Sequence, residues 1–416
     1  MSSIPIGFVQ RMSALVRAVY DTNDLSIAVE HLALALREEG IPVERLQIPL
    51  SQLFGLKHPF YFGIIATWTL GGQRKVMYRE RINTEGARPK RTLAKSPYRK
   101  VALAGESFTR YRIGTAEWTA HAKLVELQDE GFVDYAVAAT VLPDGARQIL
   151  SVATTQHDAF PEDLEERLLR LMDAAAPALF SVYQLQAMRQ LSAVYLGHTT
   201  GSKALSGLLT IGDMEDIHAI VAFMDLRDFT ATMNTLGSQK TLRLVNAAFD
   251  SIDRIVNEAG GEILKLIGDA ALVVFRLYDI EPERQRGFAR AAVQACLDAS
   301  DAVEHETEKL GHRMRLGVGL HHGTVQYGNI GSKQRRDFTV VGPVVNLASR
   351  LEMITKTRSA TLAMSEAAAS LCGVFEDENS YVGSLSGLDA RFERSDGVEV
   401  PGYSATQTIW SVPRSF

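Results

Sequence analysis

The sequence predicts an α+β protein in which two domains are joined by a long helix, and three observations carry that expectation. At 416 residues the chain exceeds one ordinary core, because domains cluster at about 100 to 200 residues. Strand-like and helix-like apolar periods are mixed in residues 1–160 and again from residue 218 onward. Between them, from Pro161 to about Leu196, a helical period runs without interruption.

The composition, 46% hydrophobic and 22% charged with a formal net charge of −5, is that of a globular protein and offers no basic surface for nucleic acid. Cys296 and Cys372 stand far apart and outside any CxxC, which argues against a disulfide framework or a zinc site and fits a reducing, cytoplasmic setting. Apolar runs such as "YAVAATVL" (135–142) fall short of the ~20 residues needed to cross a bilayer. The opening "MSSIPIGFVQRMSALVRAVY" carries charges where a signal peptide is apolar, so neither export nor a membrane span is expected.

In the first domain, "DLSIAVEHLALALREEG" (24–40) has helical spacing and stops at Gly40. "FYFGIIATWTL" (60–70) and "FVDYAVAATVLPDGARQILSVAT" (132–154) read as strands, the latter a hairpin turning at Pro143-Asp144-Gly145. The basic run at 88–100, "RPKRTLAKSPYRK", reads as a solvated loop. In the linker, expected over 161–197, Leu164, Leu168, Leu171, Ala175, Ala178, Val182 and Leu185 recur at alternating steps of four and three. That spacing is the seam of a two-stranded coiled coil, and equally the buried stripe of a helix packed on its own domain. Pro177 removes a backbone hydrogen bond there and is expected to kink or loosen the helix.

A connector with Gly and Thr, residues 198–217, leads to the second domain, expected over 218–416. "HAIVAFMD" (218–225) is a buried strand, and residues 241–261 form a helix whose apolar face is Leu242, Val245, Phe249, Ile252 and Val256. "GGEILKLIGDAALVVF" (260–275) is a hairpin hinged near Gly268. A helix from about Arg290, the alternating strand 314–331 and a helix started by Pro343 follow.

Asp225 and Asp269 each sit at the edge of an apolar strand. On neighbouring strands two carboxylates repel unless a divalent cation lies between them, and oxygen-only ligation favours Mg²⁺ or Mn²⁺ with substrate phosphates completing the sphere. Aspartates that merely face water are the plain alternative. Two features favour the metal reading. "DLRDFTATM" gives a turn and a helix start whose free N–H groups suit a triphosphate, while Asn346 and Arg350 put a neutral donor and a permanent cation on one helical face. Lys265, a bare amine in an apolar strand, needs a partner from outside its own stretch. His321 and His322 follow a strand and precede a glycine turn, which gives them a packing or surface role, and Cys296 reads as a small buried residue.

"VAFMDLRDFT", "EILKLIGDAALVVF", "VGLHHGTVQYGNIGS" and "DFTVVGPVVNLASRLE" together resemble, in order and spacing, the successive motifs of class III nucleotidyl cyclases, over residues 198–375. The resemblance implies a ferredoxin-like βαββαβ catalytic core that converts ATP to cyclic AMP and pyrophosphate with two Mg²⁺ or Mn²⁺ ions. It implies that Asp225 and Asp269 hold metal with the Leu226 carbonyl, and that Phe229 and Thr230 lie near the phosphates. Lys265 matches the purine-selecting lysine, and Asn346 and Arg350 match the ribose-orienting and transition-state-stabilising pair. Thr339 stands where many adenylyl cyclases have aspartate, a departure resembling a Thr/Ser subgroup with some bicarbonate-responsive members. Sites shared across a homodimer interface are implied as well. A guanylyl or dual-specificity cyclase stays open because of Thr339, and an inactive nucleotide-binding module is the alternative of another class, although none of the six key side chains is missing.

The first domain resembles a GAF-like sensor in its opening helix, in "SPYRKVALAGESFTRYRIG" (96–114) and in residues 132–172. No cysteine in this half could hold a bilin. Phe60, Tyr61, Trp68 or Trp118 could line a small-molecule pocket, or simply be core. The last residues, 376–416, are expected to add closing strands.

Overall fold

A computed structural model describes residues 4–22, 24–49, 62–80, 96–142, 147–157, 160–206, 214–277, 280–332, 334–373, 382–384 and 391–414. Phe60, Tyr61, the turn at Pro143-Asp144-Gly145, residues 88–95 of the basic run and residues 207–213 of the connector lie outside them. The chain divides into two units, Met1–Met188 and Arg189–Phe416.

In the first unit, α1 (Ile6–Thr22) and α2 (Leu25–Glu38) precede the strands β1 (Arg45–Pro49), β2 (Phe62–Thr69) and β3 (Gln73–Glu80). Asp24 caps α2 by accepting from the Ser26 amide at 2.8 Å. Short helices α3 (Arg99–Leu103), α4 (Ala116–Thr119) and α5 (Ala122–Asp129) surround β4 (Phe108–Arg112), and the hairpin strands β5 (Asp134–Val141) and β6 (Arg147–Thr154) follow. The sheet is antiparallel in the order β3-β2-β1-β6-β5-β4. Both of its faces are covered. Ala136 and Ala138 of β5 pack with α1, α2 and the long α6 (Leu164–Leu196), while Tyr135, Val137 and Ala139 pack with α3 to α5. Trp68 belongs to the first core and Trp118 to the second, so these two rings fill opposite faces and do not line one pocket.

Leu164, Leu168, Leu171, Ala175 and Val182 of α6 are buried in the unit's own core. That part of the apolar seam is therefore not free to pair with another helix. α6 also continues through Pro177 without a break in the helix. Ala175, Ala176 and Leu179 hold it on both sides of the proline, and Ser181 Oγ donates to the Pro177 carbonyl at 2.9 Å.

The second unit begins with the end of α6 and α7 (His198–Leu205), then runs β7 (Met214–Leu226), α8 (Phe229–Leu236), α9 (Ser238–Glu258), β8 (Glu262–Ile267), β9 (Ala270–Arg276), α10 (Pro282–Lys309) and β10 (Leu316–Gly331). Strand order β10-β7-β9-β8, antiparallel throughout, makes this the βαββαβ core expected from the sequence. β11 (Arg336–Val341) pairs with the far half of β10, α11 (Pro343–Thr357) crosses back over the sheet, and β12 (Ala360–Ser365) joins β10 in parallel. After α12 (Glu366–Cys372), strands β13 (Val382–Ser384), β14 (Arg391–Val398) and β15 (Gln407–Pro413) extend the sheet beyond β12. These are the closing strands that the sequence left unplaced.

β9 is buried along nearly its whole length because both faces of the sheet are covered. On one face Ala271, Val273 and Phe275 meet α9 and α10, and on the other Leu272 and Val274 share a core with Tyr327, Val340, Val344 and Ala348. Each fully buried Val, Leu or Phe contributes about 1.5–3 kcal/mol, so this strand anchors the domain. α9 turns Leu244, Val245, Ala248, Ile252 and Val256 inward and leaves Leu242 exposed, which corrects the expected face at Leu242. α10 starts eight residues earlier than about Arg290, at Pro282, a good first helical residue. His321, His322 and Gly323 lie inside β10, so no glycine turn follows the histidines.

Candidate nucleotide and metal site

Backbone pairing brings the two aspartates together. In the antiparallel β7–β9 ladder Asp225 faces Ala270, and the Leu226 amide donates to the Asp269 carbonyl at 3.1 Å. Asp269 occupies the β8–β9 turn behind Gly268, whose φ of 65° is one that L side chains rarely adopt. Burial raises the Asp269 carboxyl above its ordinary range, and the Asp225 charge adds to the rise.

Beyond Leu226 the chain reverses at Asp228, a left-handed residue with φ 59°, and α8 starts at Phe229. Asp228 makes no side-chain cap, so the first amides of α8, from Phe229 and Thr230, remain to meet an anion at the same strand end. Among the described residues no group of three or more His, Cys, Asp or Glu side chains gathers to hold a metal. The donor set is instead two carboxylates and the Leu226 carbonyl, all hard oxygens with room for phosphate. That set fits Mg²⁺ or Mn²⁺. A cation already faces it, because the Lys356 ammonium donates to Asp225 Oδ2 at 2.7 Å.

Lys265 finds its partner on β11, where its ammonium pairs with Asp337 Oδ2. Asp337 and Thr339 are two residues apart on one strand, so the face that holds the Lys265–Asp337 pair also carries Thr339. Asn346 and Arg350 lie on α11, Asn346 exposed and Arg350 half-buried with its guanidinium 3.4 Å from Met353 Sδ. Asn346 is ten residues before Lys356, or about 15 Å along the helix axis.

What fixes α11 was missed in the sequence. A Cβ at Gly319 would overlap the Ala348 carbonyl oxygen and the Glu352 amide, so the helix lies with its backbone against β10. Arg227, directly after the Leu226 carbonyl, is buried and donates to Glu352 Oε1 at 2.7 Å and to Thr355 Oγ1, tying the end of β7 to α11. Burial raises the Glu352 carboxyl despite the Arg227 charge beside it. Asp337 and Arg227 carry no signal in a local reading, since their partners lie 72 to 128 residues away, and nothing local points Lys356 to Asp225, 131 residues before it. His321 Nδ1 is 2.6 Å from Ser365 Oγ.

The family model of the adenylate and guanylate cyclase catalytic domain matches residues 214–408. An adenylate cyclase of Anabaena cylindrica is 31% identical over 160 residues, which is 38% of this chain and 31% of that protein. Among solved structures, the adenylyl cyclase CyaB from P. aeruginosa is 24% identical, with a TM-score of 0.40 over 49% of this chain and 97% of that one. The guanylyl cyclase Cya2 is 26% identical, with a TM-score of 0.38 over 48% and 93%. This chain thus matches less than a third of the length of its Anabaena relative. The match covers the whole βαββαβ core together with β11, α11, β12 and most of the closing strands, and residues 214–408 are a class III adenylyl/guanylyl cyclase catalytic domain.

Proposed function

We propose that the chain is an adenylate cyclase that converts ATP to 3′,5′-cyclic AMP and pyrophosphate in sites shared between two copies of itself. One observation carries the reading: in a domain of this family, the Asp225 and Asp269 carboxylates and the free amides of α8 meet at one strand end. Asp225, Asp269 and the Leu226 carbonyl would hold two divalent ions, which supply Lewis acidity toward the ribose 3′-hydroxyl and the triphosphate. The amides of Phe229 and Thr230 receive phosphate oxygens. Lys265, oriented by Asp337, donates to adenine N1, and Thr339 lines the base. Asn346 orients the ribose. As the 3′-oxygen bonds to the α-phosphorus, the bond to pyrophosphate breaks, the hydroxyl proton passes through solvent to the departing pyrophosphate, and Arg350 meets the charge that develops.

The offset of Asn346 from Lys356 along α11 supports the shared site, which a partner's α11 would complete. Leu266 and Ile267 beside Asp269, and Met353 beside Arg350, are exposed apolar side chains that a second copy would cover. The name of the Anabaena relative supports ATP as substrate. Thr339 in place of aspartate is the observation that favours a guanylyl or dual-specificity cyclase. Purified protein with Mg²⁺ or Mn²⁺ and either nucleotide decides: cyclic AMP in excess is expected, whereas cyclic GMP in excess, or no product from either, contradicts the reading.

The first unit is proposed to be a GAF-like regulator acting through α6 and α7. Among the described residues no helix is long and apolar enough to cross a membrane. Deleting residues 1–190 is expected to change turnover, and unchanged turnover and regulation would remove that role.

A further inference from the structure

Lys356, in the last turn of α11, has no part in the mechanism above. Its ammonium is 2.7 Å from Asp225 Oδ2 and 3.7 Å from Glu352 Oε1, and its charge opposes the rise of the Asp269 carboxyl. Half of the Lys356 side chain is exposed, whereas Asp225 is only 14% exposed. The lysine is therefore the outer, movable partner, on a stem of four flexible carbons, and the carboxylate is fixed in the ladder of β7. Arg227, the other cation nearby, is buried and committed to Glu352 and Thr355, and cannot swing in its place.

We propose that Lys356 is a built-in counter-cation of the metal site, which neutralises Asp225 before a divalent ion arrives and competes with that ion for the same carboxylate oxygen. The proposal rests on the reading of Asp225 and Asp269 as metal ligands. Two carboxylates close together repel, and an ammonium paired with one of them offsets that repulsion while the ion is absent. The same ammonium has to leave when the ion binds, so the observed affinity is the intrinsic affinity reduced by the strength of the Lys356–Asp225 pair. A second copy of the chain is not needed for this competition, because Lys356 and Asp225 belong to one chain.

The test is Mn²⁺ binding to the full-length protein without nucleotide, followed by the electron paramagnetic resonance of free Mn²⁺ and by calorimetry. Lys356→Met is expected to bind Mn²⁺ about two- to fivefold more tightly than wild type, the range for a partly exposed ion pair. Lys356→Arg keeps the charge and is expected to stay near wild type, and Lys356→Gln repeats the neutral substitution with a polar side chain. Because Lys356 is half exposed, all three are expected to keep the wild-type Tm. Asp225→Asn is expected to lose the ion. If Asp225→Asn loses it while both neutral variants bind as weakly as wild type or more weakly, the competing role is overturned and the ligand assignment survives. If wild type and Asp225→Asn bind alike, the assignment fails and the proposal with it.

Discussion

At Asp225 a single carboxylate meets a strand ladder, a neighbouring carboxylate and an ammonium, and its chemistry follows from all three. Asp225→Asn keeps the shape and removes the charge, so Mg²⁺-dependent formation of cyclic product is expected to fall to background. Retained turnover would take the residue out of the site. Arg350 makes no ion pair among the described residues, which leaves its guanidinium available for charge that appears during reaction. Arg350→Ala is expected to lower kcat by about 100-fold or more with KM for ATP changed only a few-fold, and equal losses in both would contradict a transition-state role. His321 gives a test by pH. Burial, with His322 beside it, pushes its pKa down to about 4 from 6.5. A histidine held neutral costs nothing above pH 6.5, and stability falls as acid charges the unfolded chain first, until the folded pKa is passed. Relative to His321→Gln, the wild type is expected to lose about 1–2 kcal/mol between pH 6.5 and pH 4 in urea denaturation, after allowance for its partial exposure. Parallel pH profiles for the two would contradict this.

Among elements, β10 and α11 show most clearly what a sequence hides. The alternation of residues 314–331 and the helix start at Pro343 are legible as periods, and both elements form where they are expected. Gly323, after the two histidines, reads as a turn, because a local pattern shows neither that Val344 lies against it nor that a helix backbone lies against Gly319. Gly319→Ala is expected to destabilise the domain by about 2–4 kcal/mol or to prevent folding, as overpacking against backbone does, and a variant as stable as wild type would overturn that packing. α9 makes a related point. Leu242 and Leu244 both fit an apolar stripe, and only the neighbouring α10 decides that Leu244 goes inward. α7 is anchored by contacts no spacing encodes: Thr200 Oγ1 lies 3.3 Å from the Tyr327 hydroxyl, and the Lys203 and Arg276 cations each lie 4.7 Å from the centre of that ring. In α6 the same seam fitted a coiled coil and a packed helix, and burial up to Val182 favours packing.

For the whole molecule, length and alternating periods already indicate two domains and an intervening helix, because these depend on the amount of apolar surface rather than on its pairing. The order of motifs carries the catalytic fold for the same reason: each motif is local, and the βαββαβ topology allows few ways to connect them. On the proposed reading, one chain holds only part of each site. Asp225 meets Lys356 at one end of α11, while Asn346 lies near the other end. Two copies would bring these halves together. Asp225→Asn and Arg350→Ala chains, each inactive alone, should therefore restore activity when mixed at equal amounts and allowed to exchange subunits, because each mixed dimer holds one intact site. The expected output is about a quarter of wild-type turnover. No recovery, with subunit exchange shown to occur, would contradict a site shared between two chains.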